Sequence, residues 1–138
     1  MRITFDLPHV FDAQSSSLDD AKALRVMLDA LISVNLAFLH ANTAPALYRS
    51  GVRYGRTVVW DSIPALYARG FGDCKSLSAA RIAEIRHAGG EANPVFRWKR
   101  RPDGGKDFHI LVMRPDGWED PSRKLGMGSN ENAPVKAY

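Results

Sequence analysis

The spacing of apolar residues in the first third of the chain predicts one long helix, from about residue 18 to residue 40. Three consecutive serines precede it and offer an N-cap. Asp19 and Asp20 lie in its first turn, where the helix dipole favours negative charge. We expect this helix to be core scaffold without a chemical role. The apolar positions that recur at helical spacing are Leu24, Met27, Leu28, Leu31, Ile32 and Leu39.

Shorter elements flank this helix. Alternation over residues 2–7 predicts a short strand before it. After it, Pro45 favours a short helix that ends near Gly51. Pro64 favours another, which ends at the glycines of segment 70–72.

A further helix is predicted from about residue 74 to residue 88. Asp73 can cap its start, and the glycine pair 89–90 ends it. Arg81 falls on the same face as the apolar residues. Either its charge is paired with a buried acidic group, or that face is partly exposed to water. The residues predicted to share one broad face are Cys74, Leu77, Ile82, Ile85 and Ala88.

The rest of the chain alternates as antiparallel strands do, over residues 94–98, 108–113 and 118–120. Turns are predicted at 102–105 and 114–117. Helices followed by an antiparallel sheet predict an α+β fold. We expect residues 1–138 to form a single domain with a mobile tail from Gly126 onward.

Composition and charge are those of an ordinary globular domain, with 138 residues, 45% hydrophobic and 25% charged. A single cysteine excludes an intramolecular disulfide. The first residues lack the long apolar core of a secretory signal, and no stretch approaches the roughly 18 apolar residues of a membrane span. We therefore expect no membrane partner and a cytoplasmic protein. A virion component assembled in the cytoplasm would have the same composition.

The net charge is +4, and the densest basic run lies around the predicted hairpin turn. Such a run could bind an acidic polymer or nucleic acid, or it could be a solvated hairpin tip. No zinc-finger or RRM-type signature accompanies it, so nucleic acid is not the expected partner. The residues concerned are Arg97, Lys99, Arg100, Arg101 and Lys106.

The cysteine stands where a helix begins, after Gly72 and Asp73. Partial positive charge and unpaired N–H groups at a helix start lower a thiol pKa and can hold an oxyanion. Cys74 is therefore a candidate nucleophile, and the alternative is a small buried residue. Gly70 and Gly72 leave room for a substrate backbone.

A histidine and an aspartate on neighbouring strands can complete a triad. With a turn at 114–117, Asp120 lies opposite Leu111 and diagonal to His109, on one face of the sheet. Such a carboxylate orients an imidazole beside a nucleophile. The alternative is a solvent-exposed pair on a hairpin.

Three segments resemble the motifs of transglutaminase-like proteins, in the same order. Gly70–Leu77 resembles their cysteine motif, Phe108–Val112 their histidine strand and Glu119–Ser122 their aspartate strand. Segments Tyr48–Tyr54 and Trp60–Pro64 also resemble small bacterial and phage members. The resemblance covers roughly residues 43–127.

This resemblance implies a papain-like fold and attack on an amide or related acyl group through a thioester, without a cofactor. Cys74 would be the nucleophile, His109 the general base and acid, and Asp120 the orienting carboxylate. Tyr54 is the first candidate and Trp60 the second for assisting the oxyanion or binding substrate, and the alternative for both is a place in the core. Asp73 is a further candidate for the same role. Many relatives carry acidic residues directly after the cysteine, where this chain has Lys75 and Ser76. We expect that change to alter the charge of the cleft.

Two readings other than an enzyme stay open. The fold could serve as a structural or assembly module, for example in a phage particle, and the basic run could bind an acidic polymer. A metal site is not expected, because one cysteine and scattered histidines (His9, His40 and His87) lack metal-ligand spacing. Phe96, Trp98 and Trp118 could wall a ligand site or pack the sheet.

Overall fold

The computed structural model describes most of the chain but not every terminal residue. The strand predicted over residues 2–7 falls partly outside the described residues, and Thr4, Asp6 and Leu7 are not in a strand. The described residues are 4, 6–8, 10–12, 14–128 and 136–137.

The long predicted helix is confirmed as α1 (Ser17–Ala41). Ser16 caps it, accepting a hydrogen bond at 3.0 Å from the Asp19 N–H. Leu24, Leu28 and Ile32 recur every four residues and are almost completely buried. This stripe packs α1 onto the central helix of the fold.

Within the described residues, α1 is also long and apolar enough to cross a membrane, by length and composition alone. This corrects the expectation that no stretch approaches such a span. One stripe of this helix belongs to the main core, and 22% of the apolar window is buried. The core helix of a soluble protein and an N-terminal signal sequence both have this length and composition.

The central helix, α3 (Cys74–His87), is buried on nearly all sides, with ten of its fourteen residues inaccessible. The sequence predicted burial of one broad face, whereas residues on nearly all faces of this helix are buried. Small side chains such as Ala79, Ala80 and Ala83 let other elements approach all round. The charge of Arg81 does find a partner, because its Nε donates to Glu119 at 2.6 Å.

Two short helical elements and one pair of short strands precede α3. A 3-10 turn (Leu47–Arg49) and α2 (Ile63–Arg69) correspond to the two predicted short helices. Between them, β1 (Arg53–Tyr54) pairs in parallel with β2 (Phe71–Gly72), which the sequence pattern did not predict. Two-residue strands are too short to produce an alternation that could be recognised.

The predicted antiparallel sheet is present, with β3 (Asn93–Arg100), β4 (Lys106–Arg114) and β5 (Gly117–Glu119). A fourth strand, β6 (Lys136–Ala137), pairs with β3, so this part of the predicted mobile tail is in the sheet. The strand order is β5-β4-β3-β6, and the architecture is α+β.

The buried residues form two clusters on either side of α3. The larger lies between α1, α3 and the sheet, and it contains Cys74 and Ile110. The smaller joins α3 to the 3-10 turn and α2, around Leu47, Leu66 and Leu77. The start of α3 therefore stands where both clusters meet the edge of the sheet.

Gly72→Ala is expected to destabilise the fold by about 1–3 kcal/mol, because a Cβ at this position would lie 2.6 Å from Leu66 Cδ1. The absence of a side chain at Gly72 therefore allows Leu66 to pack closely, in addition to leaving room for a substrate. Urea unfolding measures the effect. Gly128→Ala is the control, since no atom of the described part of the chain lies within 4 Å of its added Cβ. Equal stability of the two variants would contradict the packing argument.

Candidate functional site

The candidate nucleophile is the first residue of α3. Asp73 caps the helix by accepting the Lys75 N–H at 3.3 Å, as predicted. The Cys74 side chain is directed into the larger core cluster, and the residue is only 5% exposed. In this conformation the sulfur has little contact with solvent.

Burial raises the pKa of the Cys74 thiol to about 12, and the charges of Asp73 and Asp120 add to the rise. A backbone hydrogen bond with Ile110 and the charge of Lys75 oppose it. The sequence prediction of a lowered thiol pKa was thus wrong for this conformation, since desolvation outweighs the helix start. The thiol is protonated at neutral pH.

The N-terminal part of α3 is hydrogen-bonded to the backbone of one residue of β4, Ile110. Ser78 Oγ donates to the Ile110 carbonyl at 3.1 Å, and the Cys74 thiol shares a hydrogen bond with the backbone of the same residue. Strand β5 pairs with β4 only from Val112 to Arg114, which leaves this stretch of the edge to α3. The sulfur therefore lies beside the residue that follows His109.

The predicted pair on the sheet is formed. His109 Nε2 lies 2.9 Å from Asp120 Oδ2, and the histidine is only 2% exposed, so the pair is not a solvent-exposed hairpin contact. The register also matches the prediction, because Val112 pairs with Glu119. Among the described residues, His109 Nδ1 has no hydrogen-bond partner.

Asp120 ends the strand and begins a helix that was not predicted, α4 (Pro121–Lys124). Its carboxylate accepts the Arg123 N–H at 3.2 Å as an N-cap. Aspartate followed by proline is a typical helix start, and that signal could have revealed α4. Burial alone would raise the pKa of the Asp120 carboxyl, but His109 and Arg123 hold it below its usual range.

The three triad candidates are close together, but the structure does not join all three by hydrogen bonds. The charge of Asp120 acts on the Cys74 thiol, and the thiol is bonded to the neighbour of His109. No hydrogen bond links the Cys74 sulfur to the His109 ring in the part of the chain described. Along β4, Ile110 faces the core that holds the sulfur, whereas His109 faces a pocket on the other side.

The two aromatic candidates lie on different sides of Cys74. Trp60 packs against the cluster that contains the sulfur. Tyr54 pairs with Gly72 in the sheet and packs into the smaller cluster. Its N–H donates to the Leu125 carbonyl at 2.8 Å, which ties β1 to the end of α4.

The sequence suggested that Lys75 adds charge to an open cleft, but the structure does not place it there. It is buried, forms an ion pair with Asp73, and its Nζ donates to the Thr57 carbonyl at 2.6 Å. These bonds tie the loop before α2 to the start of α3. The same cap occupies the Lys75 N–H, so this amide is not free to hold an oxyanion.

A pocket of about 150 Å³ opens beside the His109–Asp120 pair. Trp118, a predicted wall residue, lines it and is 53% exposed, whereas Phe96 and Trp98 are buried in the core. Cys74 does not line this pocket. The lining residues are Arg97, His109, Leu111, Trp118, Glu119, Asp120, Arg123 and Met127.

The basic run does not form one patch. Lys106 is buried against an aspartate of α1, Arg97 lines the pocket and Arg101 pairs with two aspartates of the hairpin. Lys99 and Arg100 remain exposed. Strand alternation and local ion pairs thus separate charges that are adjacent in sequence.

No group of three or more histidine, cysteine, aspartate or glutamate side chains suited to a metal ion occurs among the described residues. His40 and His87 contact each other, with ring centroids 5.1 Å apart. His9 lies outside the described residues. Compared with models of known protein families, with curated proteins and with solved structures, the chain matches none.

Proposed function

We propose that this protein is a cysteine-nucleophile hydrolase or acyltransferase of the transglutaminase-like, papain-like type, acting on amide, peptide or isopeptide bonds. The observation that carries the proposal is the buried contact of 2.9 Å between His109 Nε2 and Asp120 Oδ2, with Nδ1 left without a partner. A histidine held at one nitrogen by a carboxylate is prepared to exchange a proton at the other.

The thiol is protonated at rest, so the proton must leave during the attack. It passes from Cys74 Sγ to His109 Nδ1 while the sulfur bonds to the substrate carbonyl carbon, and the carbonyl π electrons move to its oxygen. When the C=O bond re-forms, the C–N bond breaks and the amine takes the proton from Nδ1. A thioester remains, which water hydrolyses or a second amine converts to a new amide.

Asp120 remains ionised throughout, because its pKa is held low by His109 and Arg123. Its Oδ2 accepts a hydrogen bond from the Nε2–H of His109, which fixes the tautomer in which Nδ1 can accept a proton and stabilises the imidazolium once formed. For the sulfur to reach both Nδ1 and a carbonyl, the first turn of α3 must open a path from the core. Trp60 packs against the core cluster that contains the sulfur.

The proposal is tested by alkylation of the single cysteine with iodoacetamide between pH 6 and 10. We expect His109→Ala to lower the rate at neutral pH at least about tenfold, because the thiol loses its proton acceptor. His87→Ala, which removes an exposed histidine at the other end of α3, is the control. Equal rates in wild type and His109→Ala, with the pH dependence of a free thiol, would refute an activated pair.

A second candidate function is a non-enzymatic assembly module, for example of a virion, which retains the triad as framework. The burial of Cys74 and its absence from the pocket favour it. In that case Cys74→Ser would leave assembly with a protein partner unchanged, and candidate amide substrates would not be consumed. No thioester formation by the wild type, together with normal assembly of Cys74→Ser, would select this candidate.

A further inference from the structure

The pocket beside His109 contains a cation that no carboxylate of the described residues neutralises. Arg97 forms no ion pair within the described residues, and its buried Nε has no hydrogen-bond partner there. Its guanidinium lies 4.4 Å from the centre of the Trp118 ring. Stacking occupies the face of a guanidinium but leaves its N–H edge free to bind a planar anion.

The two acidic residues of the pocket are already satisfied by other cations. Glu119 accepts from Arg81 at 2.6 Å and lies 3.3 Å from Lys124 Nζ. Asp120 is held by His109 and by Arg123, whose Nε lies 3.5 Å away. Both carboxylates are therefore engaged by cations other than Arg97, which has no ionic partner among the described residues.

The size of the pocket limits what it can bind. At about 150 Å³ it is smaller than the roughly 300–1,000 Å³ typical of sites for whole small molecules. Leu111 and Met127 make part of the wall apolar. These dimensions fit one short side chain or a chain terminus.

We propose that this pocket, which we call the Arg97 pocket, binds a carboxylate next to the reactive bond of the substrate, with Arg97 as the recognising cation and Trp118 as the wall. This inference rests on the proposed function for its location, because His109 lines the same pocket. The carboxylate is that of an acidic side chain or of a peptide C-terminus. Terminal N–H groups of the Arg97 guanidinium donate to its two oxygens.

The test is a binding measurement that requires no catalysis. Calorimetry with Cys74→Ser compares three peptides: acetyl-Ala-Glu-Ala-amide, acetyl-Ala-Gln-Ala-amide and acetyl-Ala-Ala-Ala with a free carboxylate. We expect at least one carboxylate peptide to bind about tenfold or more tightly than the glutamine peptide, with a preference that weakens at high salt. The peptide that binds tightly shows whether the pocket recognises an acidic side chain or a C-terminal carboxylate.

Arg97→Gln should abolish this preference, and Arg97→Lys should retain only part of it, because lysine lacks the fork. Arg100→Gln is the matched control, since it removes the same charge from an exposed position of β3. Each variant is compared with wild type by thermal unfolding. Equal binding of all three peptides to Cys74→Ser, or a preference that survives Arg97→Gln, would overturn the inference. Alkylation at Cys74 is read separately, so either proposal can fail alone.

Discussion

Lys106→Ala is expected to lower the free energy of unfolding by about 3–5 kcal/mol, which is a large part of the total of about 5–15 kcal/mol for a domain. Lys106 Nζ lies 2.7 Å from Asp20 Oδ2, and both side chains are almost completely inaccessible to solvent. Removing the lysine leaves an unpaired carboxylate in the core. The pair joins α1 to the start of β4, so its loss loosens the layer between helix and sheet.

Urea unfolding at pH 7 measures the effect of Lys106→Ala. Arg101→Ala is the control, because its ion pairs are exposed and should contribute at most about 1 kcal/mol. The double variant Asp20→Asn, Lys106→Met is expected to recover much of the loss, since no charge is then left unpaired. Similar losses for the Lys106 and Arg101 variants would contradict this account.

The same pair predicts how stability depends on pH. Burial alone raises the pKa of the Asp20 carboxyl, but hydrogen bonds from Lys106 and the Phe11 N–H hold it below its usual value. Its contribution is therefore complete above the unfolded pKa of about 3.9, and it is lost as pH falls through the lower folded pKa. Unfolding followed from pH 6 down to pH 2 should show this loss in wild type, and Asp20→Asn should lack it.

Asp120→Asn is expected to reduce the rate of thioester formation by about 10²–10⁴-fold with little change in fold. The asparagine amide would donate to Nε2 of His109 and move the ring proton to Nδ1, where it blocks transfer from the thiol. Arg123 would also lose its ion pair at 3.5 Å, though the side-chain oxygen could still cap α4.

The measurement is single-turnover formation of the thioester, or probe labelling of Cys74, as a function of pH. Asp116→Asn is a suitable control, because this aspartate is at the tip of the β4–β5 hairpin and its side chain is 84% exposed. If Asp120→Asn reacts as fast as Asp116→Asn at every pH, then Asp120 does not orient His109 for catalysis. The enzyme proposal would lose its main support.

Elements with strong local signals were predicted well from sequence. Residues 18–40 repeat apolar side chains over six turns, and capping residues mark both α1 and α3, so local preferences and tertiary packing agree there. The β4–β5 turn set the register that brings Asp120 next to His109. The two-residue strands β1 and β2 were missed, because their pairing depends on segments that are distant in sequence.

In the candidate site, too, some features follow from local sequence and others from tertiary packing. Residue types and their order identified Cys74, His109 and Asp120 as candidates, and the hairpin pattern was enough to pair the last two. The burial of the sulfur, and with it the raised thiol pKa, depends on α1 and the sheet closing over the start of α3. No local pattern contains that information, since desolvation is a property of neighbours brought together by folding.

The amino-acid sequence by itself determined the main helices, the antiparallel hairpins and the His109–Asp120 contact, because each follows from the period of a single element or the geometry of one turn. Only the tertiary structure decided that Lys75 and Lys106 are buried in ion pairs, and that Arg97 lies beside a pocket without an ionic partner among the described residues. Solvent access and charge pairing are set by which elements meet, and these groups meet through long-range packing.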